Sequence, residues 1–450
     1  MTAARAGRRI WCEHAALPGG VAKRVLLSLE DGSIAGIEVD VDPPGDAEPL
    51  AGLTLPGFAN AHSHAFHRAL RSRTHRGGGD FWTWRAQMYS VAGRLTPASY
   101  RALARATFAE MVLAGYTVVG EFHYVHHQPG GAAYDDPNAM GTAIIDAAQE
   151  AGIRLTLLDA CYLRGGAGVP LSEEQRRFSD GRAAGWAERV AGLADADGVR
   201  IGAAIHSVRA VDAASIGMVA GYAAERGIPL HAHVSEQVAE NEQVRKEHGC
   251  TPMELLAREG ALAARFSAVH ATHLAPADIE LLSTAGASVC ICPTTERDLG
   301  DGIGPSRELR AGGVPLTIGS DQHAVIDPFE EMRGIELHER LRSGHRGAHP
   351  AAALLAAGSV NGYASLGWPT GGAIEVGGLA DLTTVSFGSV RLAGVPAPDL
   401  LEAVVFAAAA ADVDTVIVGG RTVVRGGAHL TLDVPGELRR SIAAVQEDAG

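Results

Sequence analysis

Between about residues 115 and 325 the chain alternates short runs that are apolar at nearly every position with longer Ala-rich stretches. The runs YTVVGEF (116–122), IRLTLLDA (153–160), VRIGAAIHS (199–207), IPLHAHVS (228–235), FSAVHATH (266–273), ASVCICP (287–293) and VPLTIGSD (314–321) predict seven strands. Apolar residues on both faces are what a parallel sheet covered on both sides requires. The stretches between them read as helices. In DAASIGMVAGYAAERG, Asp212 is a candidate N-cap and Gly227 a C-terminal stop. With LTLPGFANAHSH as the first strand, the pattern reaches the eight βα units of a (β/α)8 TIM barrel.

The ends follow a different period. Residues 8–55 and 370–432 contain short alternating strands joined by Gly turns, as in KRVLLSLEDGSIAGIEVD and VDTVIVGGRTVVRGG. The expected organisation is a barrel over 56–365 beside one small β-sandwich domain. That domain takes 1–55 from one end of the chain and 366–450 from the other.

Composition narrows the function. A net charge of −14 over 450 residues disfavours a nucleic acid or an anionic membrane as partner. Lys23 and Lys246 are the only lysines, so a small anion would have to be held by arginines. Five cysteines with no CxxC pair argue for a reducing compartment, and a cytoplasmic location is expected. Cys290 and Cys292 read as small buried hydrophobes. No 18-residue apolar run suggests a membrane span.

The candidate chemistry lies at the strand ends. His62 and His64, in LPGFANAHSHAFHRAL, are two apart and point to one side of a strand. His233 ends IPLHAH, His270 ends FSAVH and Asp321 ends PLTIGSD, each on a different predicted strand. Active sites of such barrels sit at that end. His62, His64, His233 and Asp321 suit one divalent ion, Zn²⁺ first and Fe²⁺ second. Water held there drops in pKa toward about 7, and Asp321 is placed to take its proton. Glu236, three residues past His233, is a candidate proton shuttle. His270 is a candidate donor to the developing tetrahedral centre. Neither lysine of the chain lies on a predicted barrel strand, and one metal per chain is expected.

HSHAFHRAL, HAHVSE, VHATHL and GSD, in this order, resemble the amidohydrolase superfamily. FHYVHH, FWTWR and HSVRAV look more narrowly like the formimidoylglutamate deiminases of histidine degradation. The resemblance covers essentially the whole chain. It implies hydrolysis of N-formimino-L-glutamate to N-formyl-L-glutamate and ammonia, with water activated at the metal attacking the amidine carbon. It matches the roles read above for Glu236, His270 and Asp321. It also implies substrate contacts from Arg85, Tyr124, His206 and Arg209, the two arginines meeting the carboxylates. A homo-oligomer, a dimer first, is compatible with the family.

One position departs from the family pattern. Three residues after His64 the family carries a Gln that contacts substrate; here it is His67. A histidine can donate one hydrogen bond in the same direction, shift selectivity, or join the metal shell. Two other readings stand beside this one. A superfamily deaminase or cyclic-amide hydrolase would act on a heterocycle and need an aromatic sandwich rather than two arginines. A non-catalytic descendant would lack metal. The aromatic insertion with Phe81, Trp82 and Trp84 could lie over the substrate as a lid or plug its own loop. His231 reads as a packed strand residue, and His338, His345 and His349 as exposed.

Overall fold

The computed structural model describes residues 7–73, 81–166, 168–262 and 265–446, without the side chains of 81–83. The eight doubly apolar runs form eight parallel strands in consecutive order: β5 (Phe58–Ser63), β6 (Tyr116–His123), β7 (Arg154–Cys161), β8 (Val199–Ser207), β9 (Leu230–Val234), β10 (Phe266–His270), β11 (Ser288–Ile291) and β12 (Leu316–Ile318). The barrel closes just past β12. Asp321 N–H donates to the His62 carbonyl at 3.0 Å, and His64 N–H donates to the Asp321 carbonyl at 3.1 Å. The last strand is thereby tied to the first at the residues named above. The helices between are cut where the sequence places their signals. Asp212 caps Ala213–Arg226 by accepting from Ser215 N–H, and Gly227 ends it in the left-handed region at φ 60°.

The first predicted strand is in fact two. LTLP closes β4 (Glu48–Pro56) of a second sheet, and FANAHS forms β5 of the barrel. The chain passes between them at Gly57, where a Cβ would lie 2.1 Å from Thr117 Oγ1. Only glycine fits that crossing. The second sheet runs β16-β15-β14-β13-β4-β1-β2-β3. From the N-terminal end come β1 (Arg8–Leu17), β2 (Gly20–Glu30) and β3 (Ser33–Glu38) with β4; from the C-terminal end come β13 (Leu382–Val385), β14 (Val413–Val418), β15 (Arg421–Arg425) and β16 (Ala428–His429). The two ends join where β4 pairs antiparallel with β13. Ile10, Val25, Leu27, Leu382 and Ile417 share a core of their own. Among the described residues no helix is long and apolar enough to cross a membrane.

Asp381, just before β13, fastens this sheet to the barrel. Its buried carboxylate accepts from Arg154 of β7 at 2.7 Å, from Tyr363 Oη at 2.8 Å and from Gly419 N–H at 2.6 Å. Asp381→Ala would leave the Arg154 guanidinium without its counter-charge in a nearly closed site. The expected cost is about 3–5 kcal/mol, read as a lower urea midpoint, with Asp381→Asn retaining part of the loss.

Candidate metal centre and substrate cavity

The donor cluster lies at the C-terminal mouth of the barrel. His62 Nε2 is 3.1 Å from His233 Nε2 and 3.3 Å from Asp321 Oδ1, and His64 Nε2 is 3.4 Å from the same oxygen. Donors spaced by a tetrahedral ion at 2.0–2.1 Å stand about 3.3 Å apart, so the set has the size and chemistry to hold one. The hydrogen bonds on the far side of these rings agree. His64 Nδ1 lies 2.9 Å from the Phe122 carbonyl and His233 Nδ1 2.8 Å from the His206 carbonyl. Each carbonyl can accept only from a protonated Nδ1, which leaves Nε2 with a free lone pair. Burial holds His62, His64 and His233 below their usual pKa, so they are neutral. For Asp321 burial works the other way, but the hydrogen bond with His62 and the charge of His270 hold its carboxyl well below the usual carboxylate range.

The approach of β12 to β5 depends on a small residue. A Cβ at Gly319 would lie 2.8 Å from that of His62 and 2.9 Å from Cys292 Sγ. Backbone strain is concentrated here too. Among the described residues, five of the nine non-glycine residues at positive φ, Ser235, His270, Ala271, Asp321 and His323, end or follow β9, β10 and β12. Such conformations persist where surrounding structure over-determines them, often at functional sites.

A cavity of about 420 Å³ opens on this cluster. His64, His67, Arg85, Tyr124, His206, Arg209, His233, Glu236, His270 and Asp321 all line it; His62 lies buried beneath. His67 Nε2 is 3.0 Å from Tyr124 Oη, and burial pushes its pKa down to about 3. It is therefore a neutral, oriented polar contact at the cavity wall. His270 is the exception among the histidines. Burial opposes its charge, but Glu236, then Glu296 and Asp321, raise it well above the usual value. Its Nε2 faces Glu236 at 3.8 Å and Asp321 at 3.9 Å.

Arg209 follows β8 and stands between two carboxylates, 3.5 Å from Glu236 and 3.5 Å from Glu240. Glu240 was not singled out from sequence. It is fully buried, and its other oxygen accepts from Ser235 N–H at 3.2 Å. Its spacing of four from Glu236, at the start of the helix Val238–His248, was the available signal. Arg85 comes from the helix Phe81–Arg94, which the aromatic insertion forms, and its Nε donates to Tyr89 Oη at 2.7 Å. Trp84 of the same helix lies edge-on to His67. The side chains of Phe81 and Trp82 lie outside the described residues.

The remaining histidines divide. His231 is a strand residue whose Nε2 meets the Ser365 carbonyl at 3.1 Å. His345 is exposed, His338 half-buried. His349, expected at the surface, is buried, because Ser306 meets its Nε2 at 3.1 Å and Glu336 accepts its N–H at 2.8 Å. Cys290 and Cys292 are fully buried beside Ala61 and Val269.

His126 belongs to a polar knot behind the cavity, with Asp159 paired to Arg189 at 2.7 Å. Burial, reinforced by Arg189, takes His126 from the usual 6.5 down to about 4. The unfolded chain therefore binds the extra proton first. The stability from keeping this ring neutral is full above pH 6.5 and is lost as pH falls toward 4, by about 3 kcal/mol at most. Denaturant midpoints measured from pH 7 to 4 should fall, and His126→Gln should flatten the slope.

Comparison with known proteins agrees with this geometry. Residues 53–423 match the Amidohydrolase family. The chain is 38% identical to a formimidoylglutamate deiminase of Pseudomonas aeruginosa, over 97% of this chain and 98% of that one. It is 30% identical to a 5-methylthioadenosine/S-adenosylhomocysteine deaminase of Halobacterium salinarum, over 94% and 92%. The crystal structure of an amidohydrolase from Brucella melitensis superposes with a TM-score of 0.91 at 32% identity, covering 97% of this chain and 99% of that one.

Proposed function

This chain belongs to the Amidohydrolase family, and from that premise we propose that it hydrolyses N-formimino-L-glutamate to N-formyl-L-glutamate and ammonia, a step of histidine degradation. The observation that carries the reading is one cavity holding both a His/Asp donor cluster and two guanidiniums. It occurs in a chain similar to a formimidoylglutamate deiminase over almost its whole length. The superfamily is metal-dependent. His62, His64, His233 and Asp321 would hold one divalent ion, Zn²⁺ ahead of Fe²⁺, in keeping with their nitrogen-rich set.

A divalent ion held there supplies an acidified water and charge neutralisation at the reacting carbon. The residues of the chain do the rest. Asp321, ionised and facing the mouth, accepts the proton that the water gives up. As oxygen adds to the amidine carbon, Glu236 in its acid form delivers a proton to the terminal =NH, making it an amine. Glu236 then takes the proton of the added hydroxyl, Asp321 returns the water's proton to the amine, and the C–N bond breaks to release ammonia and leave the formyl carbonyl. His270, with Nε2 turned toward both carboxylates, donates to the oxygen of the tetrahedral centre. Arg209 and Arg85 take the two substrate carboxylates, with His206, Tyr124 and His67 completing the polar wall.

One observation favours a second reading. Trp84, Tyr89, Tyr162 and Phe178 also line the cavity and could sandwich a heterocycle, as a nucleoside deaminase or cyclic-amide hydrolase would need. Ammonia release from N-formimino-L-glutamate, beside 5-methylthioadenosine, adenosine and guanine, decides between them. Turnover of the formimino compound by protein with about one metal per chain is expected. Release from a nucleoside or base alone would overturn the substrate assignment.

A further inference from the structure

We propose that Glu296 is a positioning residue for His270: its buried carboxylate accepts the Nδ1–H of the ring and so fixes which edge Nε2 presents to Glu236 and Asp321. The part of this concerned with turnover rests on the deiminase reading. His270 ends β10 in the left-handed region at φ 67°. Its ring stacks on His233, with centroids 5.6 Å apart and planes 13° apart. Stacking sets the plane of an imidazole but is indifferent to a 180° turn about χ2, which exchanges nitrogen for carbon at both edges. Something at Nδ1 must make the choice.

Glu296 is the group placed to do so. Its Oε1 is 3.4 Å from His270 Nδ1, a buried nitrogen that makes no hydrogen bond in this geometry. The carboxylate is itself anchored, since its Oε1 accepts from Cys292 N–H at 2.8 Å. Glu296 is 3% exposed and does not line the cavity, so a direct contact with substrate is not its role. The distance is long for a hydrogen bond; catalytic contacts commonly tighten only in the complex. The arrangement repeats the logic of a buried acid that orients an imidazole whose other nitrogen does the work.

The test is a long-range ¹H–¹⁵N spectrum of the zinc-loaded, ¹⁵N-histidine-labelled protein, with His270 assigned from its loss in His270→Gln. The expected result is a protonated Nδ1 on His270 in the wild-type protein. In Glu296→Gln the Nδ1 resonance should move. There kcat for N-formimino-L-glutamate should fall about 10²-fold while KM stays within about threefold. An unprotonated Nδ1 in the wild-type protein overturns the proposal, and that measurement does not depend on the variant folding. Unchanged kcat in a folded Glu296→Gln also overturns it. So does loss of a second metal equivalent in that variant, which would assign His270, Cys292 and Glu296 to another ion. Wild-type protein inert toward the formimino compound would overturn the deiminase reading, while the spectrum still judges Glu296.

Discussion

Asp321→Asn is expected to lower kcat by about 10⁴-fold. The substitution is nearly isosteric, and the backbone N–H and carbonyl of residue 321 still bond to His62 and His64 across the barrel seam. The fold should therefore survive, with a melting temperature near that of the wild-type protein. Two things are lost. The amide carries no charge, so the oxygen that stands 3.3 Å from His62 Nε2 and 3.4 Å from His64 Nε2 becomes a weaker donor to a cation. The amide also cannot accept a proton. Metal analysis beside kinetics separates the two losses. A variant that keeps its metal and still fails identifies Asp321 as the base. A variant restored by excess zinc identifies it as a ligand alone. Near-normal turnover with metal bound would remove Asp321 from both roles.

The barrel was legible because its strands are covered on both faces, and that burial writes itself as short, nearly continuous apolar runs. The helix from Ala213 to Arg226 was legible for a different reason: its cap and stop are local, carried by Asp212 and Gly227. What was not legible depended on contacts between distant residues. LTLPGFANAHSH shows no break in apolar character, and the division at Gly57 is forced by Thr117, sixty residues on. His349 looks like a surface histidine until Ser306 and the helix Pro328–Ser343 are brought to it. At the site, the histidines and Asp321 announce themselves by type and by position at strand ends. The carboxylates behind them do not. Glu240 and Glu296 sit on helices after β9 and β11, and a glutamate in a helix is ordinarily solvated. Only burial distinguishes these two. The left-handed backbone at His270 and Asp321 has no sequence signature at all, because neither is glycine.

Arg209→Met is expected to raise KM for N-formimino-L-glutamate by about 10²–10³-fold while changing kcat much less. The arginine now stands between Glu236 and Glu240 at equal distances. A substrate carboxylate would enter as a third acceptor on a guanidinium that has five donors. That makes Arg209 a shared partner, and its removal affects more than substrate. Glu240 is fully buried, and it would be left as an uncompensated carboxylate with its pKa already raised by burial. Arg209→Met should therefore also lose stability, which could be mistaken for the cause of poor binding. The double variant Arg209→Met/Glu240→Gln separates the effects. Removing the stranded charge should recover most of the melting temperature and none of the affinity. Arg209→Lys should fall between, since an ammonium keeps the charge but loses the planar fork that matches a carboxylate. If KM stays unchanged in all three, the carboxylate is held elsewhere, and the aromatic wall of Tyr89, Tyr162 and Phe178 becomes the better guide to what the cavity binds.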